Sequence, residues 1–361
     1  MYNRIDTLFS IFIFVVTFSP LITSQQQQQQ QSQPEPEDDP ITRFQTYLRF
    51  NTAHPNPNYT GPVSFLKARA HSIGLQSRTL EYAPDKPVLL LTWPGTRPEL
   101  PSILLNSHMD SVPAEPDKWA HPPFSAVRTS DGRIYARGAQ DDKCIAVQYL
   151  EAIRNLRERG FNPIRTVHLS FVPEEEIGGF DGAAMFVPSE EFEELNVGFA
   201  MDEGQGYAMN MQPSEAEAGF DIRIPPTVDP ELIRKRIIEE WAPASRNMTY
   251  QIVVKGPNRD YQGRPLMTAT DDTNPWWSVF HKAVTAVGGK LAKPEILAST
   301  TDARFVRYRG IPALGFSPMN NTPILLHDHN EFLQDKVFSR GIKVYESIIS
   351  SLSSYEGVHS A

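Results

Sequence analysis

Five short stretches carry side chains suited to metal or proton chemistry. They are Asn106-Ser-His108-Met-Asp110, Gly138-Ala-Gln-Asp141-Asp142-Lys143, Pro173-Glu174-Glu175-Glu176, Met201-Asp202-Glu203-Gly204 and Leu325-Leu-His327-Asp-His329. Imidazole with carboxylate is a zinc-type donor set that also suits cobalt or manganese. Neighbouring acids repel, so such clusters at buried positions need a compensating charge, which a divalent cation supplies. More than four strong donors suggests two metals sharing a bridging carboxylate, ~3.5–4 Å apart. An acid beside a ligand, itself unbound, is placed to act as general base on water. Taken singly each stretch is weak, because His-x-Asp occurs by chance and three acids in a row usually form a solvated turn. Their shared position at the ends of apolar runs is what points to a metal centre.

Those apolar runs set the architecture. Val88-Leu-Leu-Leu-Thr92, Ile103-Leu-Leu105, Val167-His-Leu-Ser-Phe-Val172 and Val197-Gly-Phe-Ala-Met201 are short, bounded by Gly and Pro, and read as strands buried on both faces. Helical spacing recurs through Ile41, Phe44 and Leu48, and through Phe65, Leu66, Ala70 and Ile73. An amphipathic helix carries Ile145, Val147, Leu150, Ile153 and Leu156 and ends near Gly160. Further on, the pattern predicts helix over Trp276–Val287, strand over Glu295–Ala298 and Ile311–Phe316, and a last helix over Lys336–Leu352. Strands alternating with helices predict an α/β fold with a mostly parallel sheet, and ligands then gather beyond the carboxyl ends of the strands. Between Met209 and Gly256 the pattern changes to a ββαβ-like block, with alternation over Ala216–Ile224, a helix over Pro230–Trp241 and a strand over Tyr250–Lys255.

Composition narrows the function. The chain has 361 residues, with 34 Lys plus Arg against 43 Asp plus Glu, a net charge of −9. That balance argues against a nucleic-acid partner, which needs a basic face. The single cysteine, Cys144, excludes an intrachain disulfide framework and a Cys-rich zinc knuckle, and its place on a helix reads as packing. At the N-terminus Arg4 precedes the apolar run Leu8–Phe18, which is too short for a span of ~20 residues and reads as a secretory signal over residues 1–24. Residues 25–38, rich in Gln, Pro and acids, read as a disordered linker. Asn58-Tyr-Thr60 and Asn247-Met-Thr249 fit glycan acceptors. His168 reads as a core residue, His121 and His329 as surface or supporting groups, and Trp276-Trp277 as core.

Taken together, His-Met-Asp-Ser-Val-Pro, Tyr-Ala-Arg-Gly-Ala-Gln-Asp-Asp-Lys-Cys, Phe-Val-Pro-Glu-Glu-Glu-Ile-Gly-Gly, Met-Asp-Glu-Gly, Asp-Asp-Thr-Asn-Pro-Trp-Trp and Leu-Leu-His-Asp-His resemble the aminoacylase family of dinuclear zinc amidohydrolases, related to bacterial carboxypeptidase G and dipeptidases. The resemblance runs from about Asp39 to Tyr355 and implies a zinc exopeptidase-like fold. It implies that His108, Asp141 and Glu203 hold one zinc and that Asp141, Glu176 and His327 hold the other, with Asp141 bridging. It makes Glu175 the general base and acid, Asp110 the residue that orients His108, and Arg304 the clamp on a substrate carboxylate. The implied reaction is hydrolysis of a linear amide, an N-acyl-L-amino acid giving a carboxylate and a free amino acid. A metallo-dipeptidase or carboxypeptidase on the same site is the rival, and a non-catalytic metal-binding scaffold the other alternative.

The chain departs from that family in one place. After Asp202-Glu203-Gly204 the family continues into a lid that mediates homodimerisation and carries a Gly-His-x-Ser segment, whose histidine serves the partner's oxyanion. Here Gly206-Tyr-Ala-Met-Asn-Met-Gln-Pro213 follows almost at once, resembling the late lid, and no Gly-His-x-Ser occurs. The expected layout is therefore a catalytic domain in two parts, 39–205 and 259–355, a lid over 206–258 shortened by about half, and a tail over 356–361. The shortened lid works against the family homodimer and against full turnover. The expected partner is a small molecule. No membrane association is expected beyond the signal segment. The leader places the chain in the secretory pathway, although the family's familiar members are cytosolic.

Overall fold

Strands form where the apolar runs predict them, because alternate residues of each run meet different layers. The computed structural model describes residues 39–203, 228–241, 252, 259–296 and 301–357. The signal segment, the linker, the glycan acceptor at Asn247, and the lid segments over Ala216–Ile224 and Tyr250–Lys255 lie outside the described residues, apart from Ile252. Strands β1 (Gln76–Glu81), β2 (Pro87–Trp93), β3 (Ser102–His108), β4 (Val127–Arg128), β5 (Arg133–Tyr135), β6 (Val167–Val172), β7 (Val197–Asp202), β8 (Ala313–Gly315) and β9 (Phe332–Gln334) build two sheets. The main one has the order β1-β2-β6-β3-β7-β8, and β4-β5-β9 form a small antiparallel one. The β6–β3, β3–β7 and β7–β8 pairs are parallel, whereas β1–β2 and β2–β6 are antiparallel.

The helices are α1 (Pro40–Leu48), α2 (Thr60–Ser72), α3 (Lys143–Glu158), α4 (Ala183–Phe186), α5 (Glu190–Glu193), α6 (Pro230–Arg236), α7 (Pro275–Ala286), α8 (Ala303–Tyr308) and α9 (Asp335–Ser353). Leu89, Leu91, Ile103 and Leu105 face the core made with α1, α3, α7 and α9. Val88, Leu90, Leu104 and Ala200 face a second core with Phe186, Phe192 and Val306. Burial on both faces explains why these strands are unbroken apolar runs. Asp39 caps α1 by accepting from the amides of Ile41 (2.7 Å) and Thr42. A buried bidentate pair ties α1 to α3, with Arg43 Nε and Nη2 each 2.6 Å from Glu151.

Some elements depart from expectation. Strand β1 is polar and mostly exposed, with only Leu80 buried, so it is held by its ladder to β2 and has no apolar signature. Of the strand expected over Glu295–Ala298, the described residues Glu295 and Ile296 are exposed and belong to no strand. The helix expected over Pro230–Trp241 is α6 continued by a π-helical turn, Ile237–Trp241. No helix among the described residues is long and apolar enough to cross a membrane.

His168 is a core residue, as read from sequence. It is 7% exposed, and its Nδ1 meets Thr92 Oγ1 at 3.0 Å across the β2–β6 ladder. Burial pushes its pKa down to about 4. The unfolded chain binds a proton near pH 6.5 and the folded one does not, so this residue costs nothing above pH 6.5 and stability is lost as pH falls from there toward 4. The loss reaches about 2 kcal/mol at pH 5. Urea unfolding at pH 5 and 7.5 checks it. His168→Gln should narrow the stability gap between the two pH values by about that amount, and an unchanged gap would contradict the assignment.

Candidate metal centre

Parallel register brings the chemistry to one edge. His108 closes β3 opposite Val172 at the end of β6, and Leu105 lies opposite Met201 of β7. The segments that follow β6 and β7 therefore deliver Glu174–Glu176 and Glu203 beside His108. Asp141 arrives from the loop that enters α3, and His327 from the loop before β9. His108 Nε2 lies 2.9 Å from Asp141 Oδ1 and 3.6 Å from Glu203 Oε1. His327 Nε2 lies 3.2 Å from Asp141 Oδ2 and 3.0 Å from Glu176 Oε2. Two triads result, each with its donor atoms within 4.8 Å of one another, and they share Asp141 through its two oxygens. A tetrahedral zinc with bonds of ~2.1 Å separates its ligand atoms by roughly 3.4 Å, so both triads have the span for a cation.

The charges point the same way. Burial, then the Asp141 charge, raise the Glu176 carboxyl above its ordinary value and Glu203 well above. Burial, then Asp302, does the same to the half-buried Glu175. Burial also opposes ionisation of Asp141, but the imidazoles of His108 and His327 hold it below the usual carboxylate range. Glu203 Oε2 is buried without a hydrogen-bond partner. Four acids thus face two imidazoles, an imbalance that divalent cations would remove. The donor set, the orphaned oxygen and the geometry all fit metal.

The surrounding residues fix these groups. Asp110 is fully buried and accepts from the amides of Glu175 (3.1 Å) and Glu176 (3.0 Å), while its Oδ1 lies 3.4 Å from His108 Nδ1. The carboxylate thus fixes the turn, while the His108 ring meets the Asp110 backbone carbonyl at 3.1 Å, nearer than the carboxylate. His54, on the loop between α1 and α2, adds a contact from Nε2 to Asp110 Oδ2 at 2.9 Å. Glu174 turns away from the cluster. It adopts φ +68, a left-handed conformation unusual for a non-glycine residue. Its carboxylate takes Tyr59 Oη at 2.8 Å and Lys86 Nζ at 2.5 Å. Of the three consecutive acids, one is thus an anchor and two face the site.

The loop bearing Asp141 is held by Glu331, fully buried against Arg137 Nη1 (2.8 Å) and the amides of Gly138, Gln140 and Asp141. Asp142 accepts from Ser107 Oγ (3.0 Å) and the His108 amide (3.2 Å). Arg304, on α8, donates to the Gly178 carbonyl at 2.5 Å and stacks on Phe305 with 4.6 Å to the ring centroid. It therefore sits against the turn that carries Glu175. Gly179 in that turn has φ +65, and a Cβ there would meet Asp302 Oδ1 at 2.5 Å, so glycine is required. Asp302 itself is buried with neither oxygen hydrogen-bonded, and burial pushes its pKa up to about 8.

Sequence reasoning missed Glu331, His54 and Asp302. Glu331 follows His327-Asp-His329 by two residues, and that proximity was the available signal. Among the described residues, the other histidines and the cysteine stay outside both triads. His121 packs on Tyr135 at 5.1 Å, His329 lies 3.5 Å from Glu115, and Cys144 is buried and free.

The profile of peptidase family M20/M25/M40 matches residues 104–351. Aminoacylase-1 of Mus musculus is 37% identical over 395 residues, covering 87% of this chain and 95% of that one. Aminoacylase-1 of Dictyostelium discoideum is 33% identical, covering 88% and 98%. Among solved structures, the M20 family metallo-carboxypeptidase Sso-CP2 from Sulfolobus solfataricus is similar with a TM-score of 0.64 at 18% identity, covering 88% of this chain and 99% of that one. Human carnosine dipeptidase 1 gives 0.61 at 12% identity, covering 86% and 95%. At those identities the structural likeness bears on the fold alone.

Proposed function

This chain belongs to peptidase family M20/M25/M40 and is a hydrolase acting on amide bonds, and from that premise we propose that it hydrolyses N-acyl-L-amino acids at a dinuclear zinc centre. The observation that carries the proposal is the sharing of Asp141 between two histidine-bearing triads, with Glu175 beside one of the ligands. His108, Asp141 and Glu203 would hold one ion, and Asp141, Glu176 and His327 the other. Bound ions supply polarisation of the scissile carbonyl and acidification of a water. Glu175 takes a proton from the attacking water as the C–O bond forms, and returns it to the amide nitrogen as the C–N bond breaks. The carboxylic acid and the free amino acid leave. Arg304 grips the substrate carboxylate with its planar fork. The aminoacylase relatives support the acyl-amino-acid reading over a dipeptidase.

The proposal includes a shortened lid. The match to the mouse relative runs over 395 residues, more than the 361 of this chain, which supports aligned length without a counterpart here. Losing an oxyanion donor lowers turnover by about 10²–10³. On N-acetyl-methionine, this chain should therefore be slower than a lid-bearing relative by about that factor. Grafting the missing segment should recover the rate. Equal rates before and after grafting would contradict the lid reading, and a preference for dipeptides would contradict the substrate. The apolar run Leu8–Phe18 supports entry into the secretory pathway, and a reporter joined after Gln31 that stays cytosolic would contradict that placement.

A further inference from the structure

One buried carboxylate connects both halves of the site, and one histidine outside the ligand set holds it. Asp110 faces His108, which belongs to the first triad, and the amides of Glu175, the base, and Glu176, which belongs to the second. A carboxylate offers about four lone-pair sites. Two are filled by the amides of Glu175 and Glu176, Oδ1 lies 3.4 Å from His108 Nδ1, whose nearer partner is the Asp110 carbonyl at 3.1 Å, and His54 Nε2 meets Oδ2 at 2.9 Å. The side chain of His54 is only 8% exposed and that of Asp110 is 0% exposed, so this contact is shielded from water.

The backbone fixes His54 independently of its ring. The His54 amide donates to Ser111 O at 3.0 Å, and the Ser111 amide donates to Thr52 O at 3.1 Å. Ala53 and Ser111 form a parallel bridge. The segment before α2 is thus laced to the residue after Asp110. The ring then shares Asp110 Oδ2 with the Glu176 amide and belongs to neither triad. A hydrogen bond to a charged acceptor is worth about twice a neutral one, and a buried carboxylate that loses a donor bears the desolvation cost of the unmade bond.

We propose that His54 is a positioning residue that acts through Asp110, fixing at once the ring of His108 and the turn bearing Glu175 and Glu176. It touches neither substrate nor metal. The inference deepens the hydrolase reading and rests on it for the effect on turnover. The fixing of the turn does not depend on that reading.

The test compares His54→Ala with His54→Gln, whose amide N–H can stand in for the ring N–H. Partners beyond the ligands of a metal site typically contribute 10–100-fold to affinity or activity. His54→Ala should therefore lower zinc affinity and kcat by about 10-fold or more with KM unchanged, and His54→Gln should restore most of both. In the metal-free chain, amide hydrogen exchange across 173–179 should quicken in the Ala variant and return toward wild type in the Gln variant. Equal exchange in all three chains overturns the proposal, as does equal impairment of Ala and Gln, which would make the ring a packing element only. If the wild-type chain neither binds zinc nor turns over while exchange still follows the variants, the hydrolase reading fails and the positioning role stands.

Discussion

Replacing Asp141 with asparagine or alanine should remove both of the proposed metals from the chain and bring hydrolysis to background. The reason is geometric. One carboxylate sends Oδ1 toward His108 (2.9 Å) and Oδ2 toward His327 (3.2 Å), so no other residue belongs to both triads. Removing any other ligand leaves one triad complete. Removing this one takes a donor from each and the one negative charge they share. The affinity loss should exceed the roughly 100-fold upper range seen for partners one layer further out. Metal content after dialysis against a competing chelator checks it. A variant that still carries two ions would mean that the bridge is elsewhere.

Glu175→Gln should separate binding from chemistry. The side chain keeps its shape and its place beside Glu176, and its backbone amide still donates to Asp110. Metal content should therefore match wild type. The amide cannot accept the proton of the attacking water or return one to the leaving nitrogen, so kcat should fall by about 10²–10⁴ with KM little changed. Single-turnover measurements on N-acetyl-methionine with metal analysis of the same sample decide it. Retained turnover would move the base role to another acid, with the buried Asp302 the next candidate by position.

Both substitutions concern residues that were legible in the sequence, and the reason is physical. Runs such as Val88-Leu-Leu-Leu and Ile103-Leu-Leu are buried on both faces, which leaves an unbroken apolar signature ending at a polar residue. In a parallel sheet that ending is where ligands collect. The clusters at His108, Glu174–Glu176 and Asp202–Glu203 could thus be picked out from strand ends, and the family resemblance then singled out Glu176 and Glu203 as ligands. Asp141 and His327 lie on loops, and only the combined motifs brought them in. What sequence did not disclose was support given at a distance. Glu331 holds the Asp141 loop through three backbone amides, and amides carry no residue-type signal. His54 sits in an irregular segment whose partner is 56 positions away. Strand β1 is polar because all of it but Leu80 is exposed, and β4, β5 and β9 are too short to show a period.

Anomalous diffraction at the zinc edge, on crystals of the intact chain grown with zinc, tests the shared-carboxylate centre most directly. Two peaks are expected, ~3.5–4 Å apart, one among His108, Asp141 and Glu203 and the other among Asp141, Glu176 and His327. Crystals replete in zinc with no peak between those five side chains would contradict it.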